Sequence, residues 1–306
     1  MTLLNLKVMK EIVKLESITQ FNSERGQETL HPKVSVLDQS LSKPIAATRF
    51  VSELYIIFFK DLKCEELKYG RTHYDYQEET LLFIAPGQVL GFETDAKTIQ
   101  PNGWALAFHP DLIRGTSLAK RIKDYGFFSY DVNEALHVSE REKQIVLECF
   151  NKIKHELEYP IDKHSKSIIV SNIELFLNYC IRFYDRQFIT RENIHKDALA
   201  RFETLLNNYF QSDKPQTIGL PSVRHFAEEL HLSANYFGDL VKKETGKPAQ
   251  EYIQEKVIAL AKEKLFDINK SISEIAYEMG FKYPQHFTRL FTQRVGYSPY
   301  KYRTIN

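Results

Sequence analysis

Apolar positions change their period along the chain, and the changes divide it. From about Lys33 to Phe108 the apolar and aromatic residues fall in short runs, SELYIIFFK, ETLLFIAPGQVLGFE and GWALAFHP, punctuated by Gly, Pro and Asn. Runs of that length bounded by turn formers predict strands, and their spacing suits a small antiparallel barrel or sandwich. From Asp111 to Phe188 the period becomes helical. In SEREKQIVLECFNKIKHELE, Ser139-x-x-Glu142 is a capping box, after which Ile145, Cys149, Ile153 and Leu157 recur every four residues. A second long helix is predicted from about Ser165 to Tyr184, with Ile169, Ile173, Phe176, Leu177 and Ile181 on its apolar stripe. The first twenty residues suit a short amphipathic helix or a mobile segment. Arg186 to Lys196 lacks a long apolar pattern and reads as a linker. Leu199, Phe202, Leu205, Leu206, Tyr209 and Phe210 open a new helical region that stops at SDKPQTIGLPS.

The last third of the chain repeats itself at a spacing of about fifty residues. SVRHFAEELHLSANYFGDLVKKETGKPAQEY begins at Ser222, and SISEIAYEMGFKYPQHFTRLFTQRVGYSPYKY begins at Ser271. Allowing one extra residue in the turn of the second copy, Ser222, Ala227, Glu229, Phe237, Leu240, Gly246 and Tyr252 match Ser271, Ala276, Glu278, Phe287, Leu290, Gly296 and Tyr302. Each copy predicts a helix-turn-helix. Ser222 and Ser271 are N-caps, and Ser271-x-x-Glu274 is a full capping box. Ala227 and Ala276 permit two helices to cross closely. His231-Leu232 and Gly280-Phe281 supply the turns, where glycine tolerates positive φ, and Leu232 and Phe281 fill the space between the helices. Gly246 and Gly296 close the second helices.

Those second helices are amphipathic. Phe237, Leu240 and Val241 form the apolar face of one, and Phe287, Leu290 and Phe291 that of the other. The opposite faces carry Asn235, Gly238, Asp239 and Lys242, and Gln285, Thr288, Arg289 and Gln293. Arginine pairs with guanine and glutamine with adenine in the major groove, so such a helix suits base readout. Between the copies, Tyr252, Ile253, Val257, Leu260, Ala261 and Leu265 predict a long connecting helix.

At this level of detail the region from about Leu199 to Arg303 resembles the DNA-binding domain of the AraC/XylS transcription regulators over its whole length. SISEIAYEMGFKYPQHFTRLFTQRVGYSPYKYR follows that family's signature almost continuously. The resemblance implies seven helices, with two recognition helices entering successive major-groove segments on one face of double-stranded DNA. It carries over to Asn235, Gly238 and Asp239 in the first recognition helix and to Gln285 and Arg289 in the second. The first helix departs from the family's long polar readers: glycine reads nothing, and aspartate opposes phosphate while accepting only from cytosine N4. Val257 stands where many members carry arginine, which implies one backbone contact fewer. Family members often pair this domain with a cupin-like barrel and dimerising helices. The strand-rich segment, its Ile84-Ala85-Pro86-Gly87 turn and the helices after Asp111 fit that arrangement.

Charge adds little: 41 Lys and Arg stand against 40 Asp and Glu. From Asp197 onward 15 basic residues oppose 13 acidic ones, a slight basic surplus that permits DNA binding without arguing for it. No apolar run approaches the roughly 18 residues of a membrane span, and the N-terminus lacks a signal-peptide core. Cys64, Cys149 and Cys180 are too scattered for a disulfide framework and read as reduced thiols of a cytoplasmic protein. His73-x-Asp75-x-x-x-Glu79 resembles a degraded first cupin metal motif, and no histidine follows Pro86-Gly87 to supply the second. It reads as polar loop or strand residues, with no metal or cofactor. His31 and His109 read as core or surface residues before pocket residues. No nucleophile–base constellation stands out.

The predicted fold is therefore α+β. A cupin-like antiparallel β-barrel with following helices occupies 1–195 (barrel about 30–110, helices about 111–188), and an all-α domain with two helix-turn-helix units occupies 196–306. The predicted function is sequence-specific DNA binding for transcription regulation, without catalysis, by a homodimer built on the helix after Ser165. A small effector acting on the N-terminal domain and RNA polymerase are further candidate partners. Two alternatives stand beside this: a cupin-type metal enzyme fused to a DNA-binding domain, and a regulator governed only by protein contacts. The sequence names no effector, no operator and no direction of regulation.

Overall fold

The run YIIFF forms a strand apolar at every position, which requires cover on both faces of its sheet. In the computed structural model, which describes residues 12–46, 49–60, 79–91, 98–130, 134–190 and 192–305, that strand, β5 (Tyr55–Lys60), lies at the centre of a five-stranded sheet. The chain divides into two compact units, Met1–Thr190 and Arg191–Asn306.

In the first unit, β1 (Ile12–Leu15), helix α1 (Ile18–Glu24), β2 (Val34–Asp38), β3 (Ile45–Ala46), β4 (Arg49–Ser52), β5, β6 (Thr80–Ile84), β7 (Val89–Gly91), β8 (Thr98–Ile99) and β9 (Trp104–Phe108) precede the helices. After the short helices α2 (Pro110–Ile113) and α3 (Ser117–Arg121) come β10 (Leu136–His137), α4 (Glu140–Leu157) and α5 (Ser165–Thr190). The central sheet runs β10-β6-β5-β9-β2, antiparallel throughout. A second sheet runs β1-β4-β7, and β3 pairs with β8.

Alternation along each strand sorts the central sheet into two faces. Leu37, Ile56, Phe58, Leu82, Ile84, Ala105 and Ala107 point one way, into a core shared with Leu15, Ile18, Phe21 and Phe50 from the smaller sheet and α1. Phe83 points the other way, against Phe127 with centroids 4.4 Å apart and Phe176 of α5 at 6.4 Å. Phe150 of α4 meets Phe176 at 5.2 Å. The capping box that starts α4 is formed, with Ser139 Oγ accepting from Glu142 N–H and Glu142 accepting from Ser139 N–H. Arg186 of α5 donates to both carboxylate oxygens of Glu142 at 3.0 and 2.7 Å and to His137 O at 2.6 Å. That fork fastens α5 to α4 and to the edge strand β10.

Three expectations are corrected. The sheets do not close into a barrel: among the described residues the edge strands β10 and β2 do not pair, and a separate layer of strands covers one face instead. The chain before Ser17 includes a strand, β1, parallel to β4. The two units divide within the polar stretch Arg186 to Lys196, where α5 runs to Thr190 and α6 spans Glu192–Gln211; Gln187 and Phe188 there are buried. The stripe assigned to a dimer is spent inside its own unit, where Ile169, Ile173, Phe176 and Leu177 are buried. The outward apolar residues of α5 are Ile168, Leu175 and Ile181.

The histidines have local duties. His31 Nδ1 accepts from Lys33 N–H at 3.1 Å, and His109 Nδ1 accepts from Asp111 N–H at 3.1 Å to cap α2. Burial, then Lys33, holds the His31 pKa below its ordinary value. Glu79 of the degraded metal motif pairs with Lys143 Nζ at 3.0 Å; His73 and Asp75 lie outside the described residues. No helix among the described residues is long and apolar enough to cross a membrane.

Phe83 joins the sheet to Phe127 and to α5, so Phe83→Ala should destabilise the first unit by about 3–5 kcal/mol. Hydrogen exchange would record faster opening of its sheet amides and unchanged protection in the second unit. Unchanged exchange in β5 and β6 would contradict this packing.

Candidate nucleic-acid interface

The second unit holds α6, α7 (Lys214–Ile218), α8 (Val223–Glu229), α9 (Ala234–Thr245), α10 (Ala249–Leu265), α11 (Ile272–Glu278), α12 (Pro284–Val295) and α13 (Pro299–Ile305). The repeat in sequence is a repeat in structure. α8 and α11 are each 7 residues long, and α9 and α12 each 12. Ser222 Oγ accepts from His225 N–H at 3.1 Å, and Ser271 Oγ from Glu274 N–H at 3.1 Å. Only the second copy completes the box, with Glu274 accepting from Ser271 N–H at 2.7 Å.

The turns make equivalent bonds, Leu232 N–H to Ala227 O and Phe281 N–H to Ala276 O, both 2.9 Å. Both need a left-handed residue. Gly280 supplies it at φ 90° and His231 at φ 58°. A residue with a Cβ is strained there by roughly 1–2 kcal/mol, so the first turn is bought at a cost the second avoids. Gly246 and Gly296 end α9 and α12 in the left-handed conformation, as the spacing predicts.

Each second helix hides one face. Phe237, Leu240 and Val241 of α9 are buried, and Phe202 of α6 meets Phe226 at 5.2 Å and Phe237 at 5.0 Å. Phe287 and Phe291 of α12 join Val257, Ile258, Ala261 and Leu265 of α10 and Ile275, Ala276, Met279 and Phe281 in one core. Val257 therefore packs inward and offers nothing to a partner at the surface.

The opposite faces are open. Asn235, Asp239 and Lys242 of α9 are exposed and Gly238 is half-buried; Gln285 and Arg289 of α12 are exposed and Thr288 is half-buried. Gln285 and Arg289, four residues apart, share one side of α12. A Cβ added at Gly238 would meet nothing within 4 Å, so packing within the chain does not require glycine there.

Several fastening residues were not read from the sequence. Arg294, at the end of α12, donates to Glu251 at 2.6 Å and Gln254 at 2.8 Å on the first turns of α10. Lys247, just after α9, meets Glu255 of α10 at 2.7 Å. Tyr252 donates to Glu203 of α6; burial first, and then that carboxylate, push the phenol pKa up to about 12. Glu278 takes Lys264 of α10 at 2.8 Å and Lys270 at 2.5 Å, which hold its pKa below the ordinary value. Arg303 donates to Leu265 O and Lys270 O, both at 2.9 Å, placing its charge at the C-terminal end of α10. Of these, the repeat marks Glu278, matched to Glu229, and Tyr252, matched to Tyr302.

Two short helices joined by a left-handed turn, twice, with a 17-residue helix between them, define a tandem helix-turn-helix unit. Residues 226–305 match the family model described as a helix-turn-helix domain. The chain is 32% identical over 141 residues to the uncharacterised HTH-type transcriptional regulator YfiF of Bacillus subtilis, covering 46% of this chain and 41% of that protein. It is 24% identical over 149 residues to the probable transcriptional regulator LumQ of Photobacterium leiognathi, covering 48% and 55%. The chain thus spans about half or less of the length of these relatives. Among solved structures, the C-terminal domain of the response regulator yesN from Fusobacterium nucleatum is similar at 24% identity, over 35% of this chain and 98% of that one, with a TM-score of 0.31. ToxT from Vibrio cholerae is similar at 13% identity over 89% of this chain and 96% of that one, with a TM-score of 0.29. The C-terminal unit of this chain belongs to the AraC type of helix-turn-helix domains.

The Glu278 cluster has a pH consequence. Its folded-state pKa lies below the ordinary value of 4.5. The stability it contributes is therefore present above that value and is lost as pH falls through the lower folded-state pKa. Glu278→Gln should lower stability at neutral pH and flatten the acid limb of the second unit's unfolding profile. Parallel wild-type and variant profiles below pH 4.5 would contradict the ion-pair assignment.

Proposed function

We propose that this protein is a transcription regulator that binds double-stranded DNA sequence-specifically through α9 and α12, with α12 reading bases and α9 mainly positioning the protein. The observation that carries this is Arg289 one turn beyond Gln285 on the open face of α12, opposite buried Phe287 and Phe291. A bidentate arginine–guanine pair is worth about 1–3 kcal/mol of discrimination. On α9 the repeat puts Asn235 and Asp239 at the corresponding positions, with Gly238 and Lys242 beside them.

The N-terminal unit takes the regulatory part that the cupin-like portion plays in AraC-type regulators, answering to a small effector or a protein partner. The protein is non-catalytic and cytoplasmic, and RNA polymerase is the natural partner once it is on DNA. It works as a homodimer, pairing through the outward side of α5. Ile168 and Leu175 there are seven residues apart, on one side of the helix, and exposed. Isologous pairing of such a stripe is a common solution.

Two experiments test these assignments. Arg289→Ala should weaken binding to a preferred duplex about tenfold or more while changing binding to random DNA little, at matched salt. Asp239→Ala, which removes a negative charge facing phosphates, should raise affinity for all sequences. Intact specificity in Arg289→Ala together with its loss in Asp239→Ala would reverse the assignment. For the dimer, Leu175→Arg should turn a dimer into a monomer in sedimentation at about tens of micromolar. A wild-type monomer at that concentration would remove α5 from any dimer interface.

A further inference from the structure

The two helix-turn-helix units are joined in sequence by α10, but they also touch elsewhere. The turn of the second unit lies against the segment that leads into the first. A Cβ built on Gly280 would fall 2.8 Å from Gly219 C, 3.0 Å from Gly219 O and 3.0 Å from Leu220 N. These are backbone atoms, which cannot swing aside as a side-chain end can. Gly219 is itself left-handed at φ 104° and closes α7, with its N–H donating to Lys214 O and Pro215 O. Its carbonyl accepts from Tyr209 Oη–H at 2.8 Å.

Tyr209 carries the connection onward. It is buried, and its ring lies 5.3 Å from His225 and 6.1 Å from Phe226 of α8. A continuous path therefore runs from α8 through Tyr209 and Gly219 to the Gly280 turn between α11 and α12. It does not pass through α10. Left-handed geometry alone does not require glycine in that turn, as His231 in the other turn adopts it with a side chain. The close approach to Gly219 is a separate demand, and only Gly280 meets both.

We infer that the Gly219–Gly280 backbone contact is a clasp that, together with α10, holds the two recognition helices at one separation and phase, and so makes Gly280 a positioning residue for the spacing of the bound DNA segments. One connecting helix leaves a hinge at each end. A second contact away from its axis removes rotation about it. The consequence for recognition is strict spacing, because inserting one base pair turns one segment by about 35° relative to the other. The inference rests on the DNA-binding reading only for that consequence; the clasp itself is a property of the free protein.

The test has an arm for each. In the full chain, with Cys64→Ser to leave only the buried Cys149 and Cys180, spin labels at Lys243→Cys on α9 and Gln293→Cys on α12 report the distance between the helices without DNA. A narrow distribution is expected, broadened in Gly280→Ala. Gly296→Ala is the control. It carries the same left-handed strain at φ 85° with nothing within 4 Å of the added Cβ, and should leave the distribution narrow. If Gly280→Ala does not fold, Tyr209→Phe, which removes only the hydroxyl on Gly219 O, should broaden it in its place. A Gly280→Ala distribution no broader than that of Gly296→Ala overturns the clasp, as does an unchanged Tyr209→Phe distribution where that variant has to decide. In the second arm, a duplex selected from random DNA by the wild type is lengthened by one base pair between its two contacted segments. Wild type should lose about tenfold or more in affinity and Gly280→Ala distinctly less. Equal losses overturn the role in spacing, and failure of the wild type to select any duplex overturns the DNA-binding reading while the distance arm still decides the clasp.

Discussion

A helix that reads DNA must be anchored through one face only, and the second unit is built around that constraint. α9 and α12 each turn their aromatic side inward, onto Phe202 and Phe226 in one case and onto α10 and α11 in the other. Fully burying a side chain such as Phe or Leu is worth about 1.5–3 kcal/mol, so these faces supply the stability and leave Asn235, Asp239, Lys242, Gln285 and Arg289 exposed outside the core. The polar fastenings then fix direction. Arg294 on Glu251 and Gln254, Lys247 on Glu255 and Glu278 between two lysines each tie a helix to α10 or its ends. Exposed ion pairs of this kind contribute little stability singly, but they set the angle at which the open faces emerge.

The two copies are alike in length and differ in finish. The second has the complete capping box, a glycine in its turn and a continuous aromatic core through Phe281, Phe287, Phe291 and Tyr302. The first caps both of its helices, with Ser222 on α8 and Ser233 on α9, but lacks the full box, and it carries a strained His231 and a glycine in the middle of α9 that costs about 1 kcal/mol against alanine. The second copy also carries the arginine and glutamine suited to base edges.

The helices, caps and turns of the second unit were legible because their determinants are local. N-cap serines, terminal glycines and a 3.6-residue period are all visible within a dozen residues, and the repeat doubled each signal. The open faces of α9 and α12 followed from the same period. The first unit was legible only in part. Apolar runs such as YIIFF predict strands but do not say what covers each face, and here a second sheet and two helices do so in place of a barrel wall. The stripe on α5 was correctly apolar, yet an apolar face does not reveal whether it meets its own domain or another copy. Polar residues dominate Arg186 to Lys196, within which the two units divide, but the sequence does not show that Arg186 and Gln187 at its start hold β10 and α4. The contact of Gly219 with Gly280 joins residues far apart in sequence, and no local pattern marks it.

The central claim is that this chain reads DNA sequence with two helices held in fixed relation. Selection of bound fragments from random duplex DNA by the full chain, at salt near 0.15 M where non-specific attraction is screened, tests it most directly. The account predicts enrichment of one motif with two segments about one helical turn apart, the more sharply defined segment belonging to α12. A bound pool that stays random in sequence would contradict it.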